Sequence, residues 1–338
     1  MTFPAICLLA AAIPFENPIW RLDAPDPTIW RGTDRYYCAT TTQMLLESDD
    51  LIHWRDTGRR TLEDAEYDWI LHSWKNIFAP DVVKIGNKWC LYMTFITSAV
   101  HSGIAVFTSD SPDGPFRNPR LLVTGEIDGG RDNIDAEVVQ DPKTGRVWLF
   151  WGHRSIRRVE LTKDGQKRLP GAPIVHVAGV PEGEERADDV PKRALSDEGT
   201  YVYEHDGKWY LFLSEGVCFD HRYRIAVGRS DSLDGEFFDK EGRPMKKGYA
   251  TTIMWTPQGE TFFGPGHNGE IIKGPSGKTY MFYHCHWKGM KGDEADWFKM
   301  WPRKNYIPRM LCVQEIKWDK DGWPYFDNER PAASGVFE

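Results

Sequence analysis

The sequence predicts an all-β fold, a five-bladed β-propeller of four-stranded antiparallel blades, on three observations. One phrase recurs five times along the 338 residues: an ionisable residue, a β-branched run, a turn and an aromatic-rich apolar run. Its copies are spaced by roughly 54 to 69 residues, somewhat longer than the roughly 40 to 50 of common propeller blades. Aromatic residues make up 13% of the chain and alternate with β-branched residues, without long helical periodicity.

Each phrase is expected to open the innermost strand of one blade. Because sheets of this kind need neighbours to bury both faces, five of them close radially around a channel. Their leading residues should then converge at one end of that channel: Asp26, Asp81, Asp135, Glu198 and His267. Converging charge of one sign is costly, so this end is the predicted site of chemistry.

The blades follow the repeat in chain order. Turns such as Ser-Pro-Asp-Gly at 111–114 and Ser-Leu-Asp-Gly at 232–235 supply the positive φ that tight connections require. We expect one propeller domain over residues 17–330, with residues 1–16 as a signal segment or N-terminal extension and residues 331–338 as a tail. The predicted blades cover about 22–60, 79–125, 133–177, 196–245 and 266–327.

The composition restricts partner and compartment. A net charge of −8 without a basic stripe disfavours nucleic acid and anionic membranes as partners. The apolar stretch 5–15 resembles a short signal sequence but lacks a positive leader, so we expect export to the periplasm or the extracellular space, with a cytoplasmic location as the alternative. Nothing else approaches a membrane span. The six cysteines are widely scattered and are expected to be mostly buried free thiols.

An up-and-down sheet places the connections between second and third strands, and those between blades, beside the leading residues. These connections carry aromatic residues, including Trp74, Phe78 and Trp287. Aromatic faces over a polar pocket are suited to sugar rings, whose C–H faces are apolar and whose hydroxyl groups need hydrogen bonds. A glycan is therefore the expected partner.

Carboxylates from different blades, beneath an aromatic rim, indicate glycoside hydrolysis. In that reaction one carboxylic acid protonates the leaving oxygen, while a carboxylate activates water or attacks carbon. A third carboxylate nearby raises the pKa of the acid by like-charge repulsion. His267 either helps to bind a metal ion or forms a hydrogen bond across the channel.

An ordered series of motifs covers most of the chain and resembles that of glycoside hydrolase family 43. The resemblance implies a five-bladed propeller that inverts anomeric configuration and acts mainly on arabinan, arabinoxylan and xylan side chains. The motifs are Asn17-Pro-Ile, Pro25-Asp-Pro-Thr-Ile, Ala79-Pro-Asp-Val, Asn133-Ile-Asp-Ala, Glu198-Gly-Thr-Tyr-Val, Gly266-His-Asn-Gly-Glu-Ile and Asp321-Gly-Trp-Pro.

The resemblance also implies roles for single residues. Asp26 matches the general base, Asp135 the carboxylate that orients the acid and tunes its pKa, and Glu198 the general acid. His267 matches a channel histidine that approaches a calcium ion largely through water, and no organic cofactor is implied. Phe78 stands where the family often has Trp. Asp81 occupies the equivalent ring position in blade 2 but is expected to be structural.

Glu137 shares a strand face with Asp135, and we prefer Asp135 because it aligns with the other leading residues. The expected substrate is an α-L-arabinofuranosyl linkage of a plant polysaccharide or oligosaccharide. The insertion at 181–197 and the loop at 286–308 should narrow the groove, which favours exo action or short oligomers. Arg154 and Arg309 are candidate hydroxyl ligands.

The alternatives are a β-xylosidase, another xylan- or galactan-directed hydrolase of this fold, and a non-catalytic glycan-binding propeller. The oligomeric state stays open.

Overall fold

A computed structural model of the protein describes residues 12–62, 77–98, 101–124, 133–181, 184, 197–289 and 308–338. It confirms the predicted all-β fold: five antiparallel sheets follow one another along the chain as the blades of a propeller. The described residues contain no helix that is long and apolar enough to cross a membrane.

The strands of each blade are consecutive in the sequence. Blade 1 contains β2 (Thr28–Arg31), β3 (Tyr36–Ala39), β4 (Met44–Ser48) and β5 (Trp54–Arg60); blade 2 contains β6 (Ile77–Ile85), β7 (Lys88–Ser98), β8 (His101–Ser109) and β9 (Arg117–Thr124); blade 3 contains β10 (Glu137–Gln140), β11 (Val147–Trp151), β12 (Ser155–Leu161) and β13 (Val175–Gly179). Blade 4 contains β14 (Asp197–His205), β15 (Lys208–Glu215), β16 (Arg224–Ser230) and β17 (Thr251–Met254); blade 5 contains β18 (Phe262–Gly266), β19 (Ile271–Lys273), β20 (Thr279–Trp287), β21 (Arg309–Trp318) and β22 (Pro324–Tyr325).

Two predicted blade limits shift in the structure. Blade 4 ends at Met254 rather than near residue 245, because a bridge between Arg229 and Phe238 and a short 3₁₀ turn at Met245–Lys247 precede its last strand. Blade 5 begins at Phe262, and its innermost strand is divided into β18 and β19, which both pair with β20.

The two ends of the described chain belong to the fold. Strand β1 (Ile13–Glu16) pairs with β23 (Ser334–Phe337) in a separate two-stranded sheet. The prediction that 331–338 is a tail was therefore wrong, as was the exclusion of residues 13–16 from the domain. Phe15 and Phe337 are buried and pack with residues of blades 1 and 5, so their apolar side chains account for this pairing.

Apolar side chains fill the spaces between neighbouring blades. Trp30 of blade 1 packs with Leu91 and Phe107 of blade 2, and similar clusters join the other blades. Four cysteines are buried free thiols, as predicted, at positions Cys38, Cys90, Cys285 and Cys312. Cys7 lies outside the described residues.

Each blade has a residue with left-handed φ within its innermost strand or within two residues of it, and together these form what we call the upper ring. Its members are Asp26 (φ 56°), Ala79 (φ 49°), Asp135 (φ 58°), Gly199 (φ 61°) and His267 (φ 40°). At Ala79 and Gly199 the pairing with the next strand shifts register, which marks a β-bulge. Bulges re-aim side chains and often border active sites.

The upper ring corrects the predicted alignment of the blades. The ring positions of blades 2 and 4 are Ala79 and Gly199, not Asp81 and Glu198. Asp81 lies two residues after its ring position and Glu198 one residue before. Aligning residues by charge missed this shift, because the feature that the blades share here is a backbone conformation.

A second set of side chains, the lower ring, links the blades deeper in the channel. Each member accepts a hydrogen bond from a backbone N–H of the next blade, and the set closes from blade 5 back to blade 1. The pairs are Thr28 with Val82 (3.3 Å), Asp81 with Val138 (2.8 Å), Glu137 with Val202 (3.1 Å), Tyr201 with Ile271 (2.9 Å) and Glu270 with Ile29.

Candidate active site

The connections between second and third strands deliver side chains to the upper ring, as predicted. Thr41 follows β3, His153 lies between β11 and β12, Tyr223 precedes β16, and Arg309 begins β21. Each of these four residues contacts one of the predicted catalytic carboxyl groups. The prediction that these connections border the site is therefore confirmed for the described residues.

Asp26 is buried and surrounded by hydrogen-bond donors. Arg309 donates from a terminal nitrogen to Oδ1 at 2.8 Å, and the Thr41 hydroxyl donates to Oδ2 at 2.6 Å. Because Thr41 Oγ1 accepts the Ala79 N–H at 2.8 Å, its own proton is directed at Asp26. Burial alone would raise the pKa of Asp26, but Arg309 and His267 hold that pKa well below its ordinary value. Asp26 is therefore a carboxylate at neutral pH.

Glu198 is placed in the opposite electrostatic situation. Burial raises its pKa, and the nearby His153 and the Tyr223 hydroxyl offset this only in part. The Tyr223 hydroxyl donates to Oε1 at 3.0 Å, while His153 Nε2 lies 3.7 Å from Oε2. Since Oε1 accepts a hydrogen bond, the carboxylic proton belongs on Oε2.

Asp135 connects the two other carboxyl groups. Its Oδ2 accepts the Gly199 N–H at 2.8 Å, so it holds the peptide unit that directly follows Glu198. Burial raises the pKa of Asp135 well above its ordinary value, and Glu198 and Asp26 raise it further by like-charge repulsion. Like-charge repulsion acts in both directions, so a negative charge on Asp135 or on Glu198 disfavours a negative charge on the other.

The backbone glycine beside Glu198 is required by its surroundings. Gly199 has a φ of 61°, and a Cβ there would lie 3.1 Å from the His267 ring and from Ser214 Oγ. Only glycine combines this conformation with such a close approach. Glu198 therefore lies immediately before the β-bulge, and Gly199 is the upper-ring residue of blade 4.

His267 Nδ1 lies 3.3 Å from Asp26 Oδ1 and 3.7 Å from Asp135 Oδ2, so one nitrogen borders both carboxyl groups. Burial lowers its pKa, which favours the neutral ring. With Nδ1–H directed at the carboxyl groups, Nε2 is the atom that has a free lone pair. No three His, Cys, Asp or Glu side chains in the described part of the chain are arranged to hold a metal ion. The described residues thus fit only an ion held mainly by water.

For the remaining predicted residues, the structure gives a position in the fold and the neighbouring residues. Phe78 is half-buried on β6 and immediately precedes the upper-ring residue Ala79. Arg154 has left-handed φ, and its backbone N–H donates to Asp197 O at 2.8 Å, beside Glu198. Trp287 stacks on Phe262, with ring centroids 6.4 Å apart. Their substrate contacts stay predictions, and Trp74 lies outside the described residues.

Sequence reasoning missed three residues that form hydrogen bonds with Asp26 or Glu198. Thr41 and Tyr223 donate to Asp26 and Glu198, and His284 Nδ1 accepts the Asp26 N–H at 3.1 Å. His284 is fully buried, and burial lowers its pKa to about 3, so the ring is neutral. Their common feature is a polar residue at the end of a second strand or in the connection that follows it. Arg309, predicted as a hydroxyl ligand, forms an ion pair with Asp26.

Known proteins resemble this chain along nearly its whole length. The model of glycosyl hydrolases family 43 matches residues 15–324. The extracellular exo-α-(1→5)-L-arabinofuranosidase of Cellvibrio japonicus is 26% identical, over 96% of this chain and 92% of the relative. A xylan 1,3-β-xylosidase of a Vibrio species is 24% identical, over 92% of this chain and 57% of the relative.

A solved structure supports the fold. The α-L-arabinanase of Cellvibrio cellulosa, solved in complex with arabinohexaose, superposes with a TM-score of 0.72 at 22% identity, over 91% of this chain and 96% of that chain. The family match spans all five blades and includes Asp26, Asp135 and Glu198. The chain therefore belongs to glycoside hydrolase family 43 and is a glycoside hydrolase.

Proposed function

We propose that this protein hydrolyses α-L-arabinofuranosyl linkages of plant polysaccharide or oligosaccharide by an inverting acid/base mechanism. The observation that carries the catalytic part is that the pKa values of two neighbouring carboxyl groups are displaced in opposite directions. The pKa of the buried Asp26 is lowered and that of the half-buried Glu198 is raised. An inverting hydrolase needs one ionised base and one protonated acid at the same pH.

The proposed mechanism uses each contact at the site. Asp26, ionised beside Arg309, removes a proton from the attacking water. Glu198, with its proton on Oε2, donates it to the leaving oxygen on the other side of the linkage. Asp135 orients Glu198 through the Gly199 N–H, and a negative charge on Asp135 would raise the pKa of Glu198 by like-charge repulsion. No covalent intermediate with the protein is formed.

The proposed substrate and mode of action are supported by relatives. The Cellvibrio japonicus relative is named as an exo-acting α-(1→5)-L-arabinofuranosidase and matches almost end to end. The solved Cellvibrio cellulosa protein is an α-L-arabinanase that holds arabinohexaose. We accordingly propose exo action, or action on short oligomers.

The test is a panel of linear arabinan, arabinoxylan, xylo-oligosaccharides and galactan, incubated with the wild type and with Glu198→Gln. We expect monomer or short oligomers from arabinan, with the initial anomer inverted in proton NMR spectra. A mixture of oligomers of many lengths early in the reaction, which internal cleavage produces, would contradict exo action. Retained configuration would contradict the mechanism, and binding without product would indicate a glycan-binding protein.

The second candidate is β-xyloside hydrolysis. The named Vibrio xylosidase supports it, although this chain spans little more than half of that relative. Release of xylose from xylo-oligosaccharides, with no product from arabinan, would establish this alternative.

Calcium and export are further proposals. We propose that His267 approaches a largely water-held calcium ion, supported by the lone pair that its Nε2 retains; calcium would supply electrostatic stabilisation near the channel. Exhaustive chelation should lower the melting temperature and the activity, both restored by added calcium. Export is supported by the extracellular relative, and the secreted and cellular fractions of the native host would test it.

A further inference from the structure

The connection between β15 and β16, residues 216–223, presents an exposed aromatic ring at the site. Phe219 is 53% exposed and Val217 is 51% exposed, whereas Tyr223 at the other end of the same connection is fully buried. Exposed apolar side chains are common when they occur singly. Here two of them adjoin on the segment that also holds the general acid through Tyr223.

Phe219 lies directly against the catalytic centre. The Arg309 guanidinium carbon is 5.6 Å from the centroid of the Phe219 ring, and Arg309 donates to Asp26 at 2.8 Å. Arg309 is buried and Phe219 is exposed, so the Phe219 ring lies on the solvent side of the Arg309–Asp26 pair. Phe219 therefore presents an exposed aromatic ring close to the residue that binds Asp26.

The connection is anchored on both sides of Phe219. The His286 Nε2 contacts the Cys218 carbonyl at 2.8 Å, the Asp220 N–H donates to Val217 O at 2.8 Å, and the Thr256 hydroxyl donates to His221 O at 3.0 Å. These bonds fix the backbone around an exposed ring. A rigid aromatic face binds a sugar ring at little cost in conformational entropy.

We propose that Phe219 is a stacking platform for the sugar on the leaving-group side of the cleaved linkage. The reacting sugar must reach the buried Asp26 and therefore lies deepest. In an exo-acting enzyme, which is the mode proposed above, the next sugar outward is the leaving group, and it meets the exposed ring. None of the substrate-binding residues predicted from the sequence lies on this connection.

The test compares two kinds of substrate that share the same reacting sugar. One is an oligosaccharide, whose leaving group is a sugar; the other is a methyl glycoside, whose leaving group has no ring. Phe219→Ala should lower kcat/KM on the oligosaccharide about 10-fold more than on the methyl glycoside, mainly through KM. Phe219→Tyr and Phe219→Trp, which retain a stacking face, should recover most of the loss.

Phe238→Ala is the matched control, because Phe238 is 38% exposed and bridges to Arg229 near the far end of β16. It should leave both activities unchanged. Equal losses on both substrates for Phe219→Ala would show that Phe219 acts through Arg309 and Asp26 and would overturn the proposal, as would no loss on either.

Ring stacking does not depend on which sugar is bound, so a failure of the arabinan assignment is distinguishable from a failure of the proposed platform. If the wild type cleaves another glycan of the panel, the same comparison is made with that glycan. If no glycan is cleaved, calorimetry of panel oligosaccharides with the wild type and Phe219→Ala gives the result: about 10-fold weaker binding supports the platform, and unchanged or absent binding overturns it.

Discussion

The upper and lower rings of the channel contain similar residues in different surroundings. The upper ring and the adjoining Glu198 bring three buried or half-buried carboxyl groups together, and the lower ring contains three more: Asp81, Glu137 and Glu270. The upper carboxyl groups face Arg309, His267, His153 and Tyr223. The lower ones each accept a backbone N–H of the next blade.

This difference distinguishes the carboxyl groups that are proposed to be catalytic from those of the lower ring. Burial raises the pKa of all three lower carboxyl groups, to about 7 for Asp81 and to about 8 for Glu270. In the upper set, the pKa of one carboxyl group is lowered while the pKa values of the other two are raised. Acid/base catalysis needs that division of proton states, and a charged neighbour such as Arg309 produces it.

The largest expected effect comes from matched substitutions in the two sets. Asp26→Asn and Glu198→Gln should each lower kcat by about 10³-fold or more, because shape is kept while proton transfer is lost. Asp81→Asn and Glu137→Gln, the same exchanges in the lower ring, should stay within about threefold of wild type. Initial rates on the best panel substrate, with circular dichroism as a check on folding, would measure this. Comparable losses in both sets would remove the distinction.

Asp135→Asn should have the next largest effect. The variant cannot ionise at position 135 and so cannot repel a negative charge on Glu198. The pKa of Glu198 should therefore fall and the alkaline limb of the kcat profile move to lower pH, with kcat about 10- to 100-fold lower. The measurement is kcat between pH 4 and pH 9. An alkaline limb that does not move would show that Asp135 has no electrostatic effect on the acid.

Tyr223→Phe should shift the same limb in the other direction. The Tyr223 hydroxyl lowers the pKa of Glu198, so its loss should raise that pKa and move the alkaline limb upwards. We expect kcat to fall only a few-fold, because one hydrogen bond of about 1 kcal/mol is lost. Tyr203→Phe, on the same blade, is a suitable control. A shift towards lower pH would contradict the assigned contact.

The smallest effect on activity, but a clear one on stability, is expected for Asp81→Asn. The folded chain keeps a proton on Asp81 up to about pH 7, whereas an unfolded chain releases it near pH 4. Ionisation therefore favours unfolding, and stability falls as the pH rises from about 4 to about 7. Asparagine still accepts the Val138 N–H without titrating.

The measurement for Asp81→Asn is the melting temperature at pH 5 and pH 8. The melting temperature should decrease less between pH 5 and pH 8 in the variant than in wild type. The exposed Asp206→Asn should show the wild-type decrease. An unchanged decrease in Asp81→Asn would mean that its carboxyl group is ionised throughout.

The sequence predicted most of the fold, because each blade repeats its strands and turns. It also predicted that Asp26, Asp135 and Glu198 lie close together, as they do in the structure; their catalytic roles stay predictions. It placed Asp81 and Glu198 in the wrong register, since a bulge changes backbone conformation without requiring one residue type. It took residues 331–338 for a tail, because the pairing of β1 with β23 joins segments from opposite ends of the chain.

The contacts of Thr41, Tyr223 and Arg309 could not be predicted in the same way. Each comes from a connection whose path depends on the neighbouring blades, and a hydroxyl or guanidinium group there has several conceivable partners. The family resemblance indicates which carboxyl groups react but not which groups set their proton states. Those follow only from distances such as the 2.8 Å between Arg309 and Asp26.

The lower ring closes the circle of blades without any exchange of strands. The sheet of each blade consists of strands that are consecutive in the chain, and the last link, from Glu270 to Ile29, is of the same kind as the other four. The contacts between blades therefore do not depend on which blade comes first in the chain. A circularly permuted chain, joined where β1 meets β23 and reopened between two other blades, keeps every one of these five links.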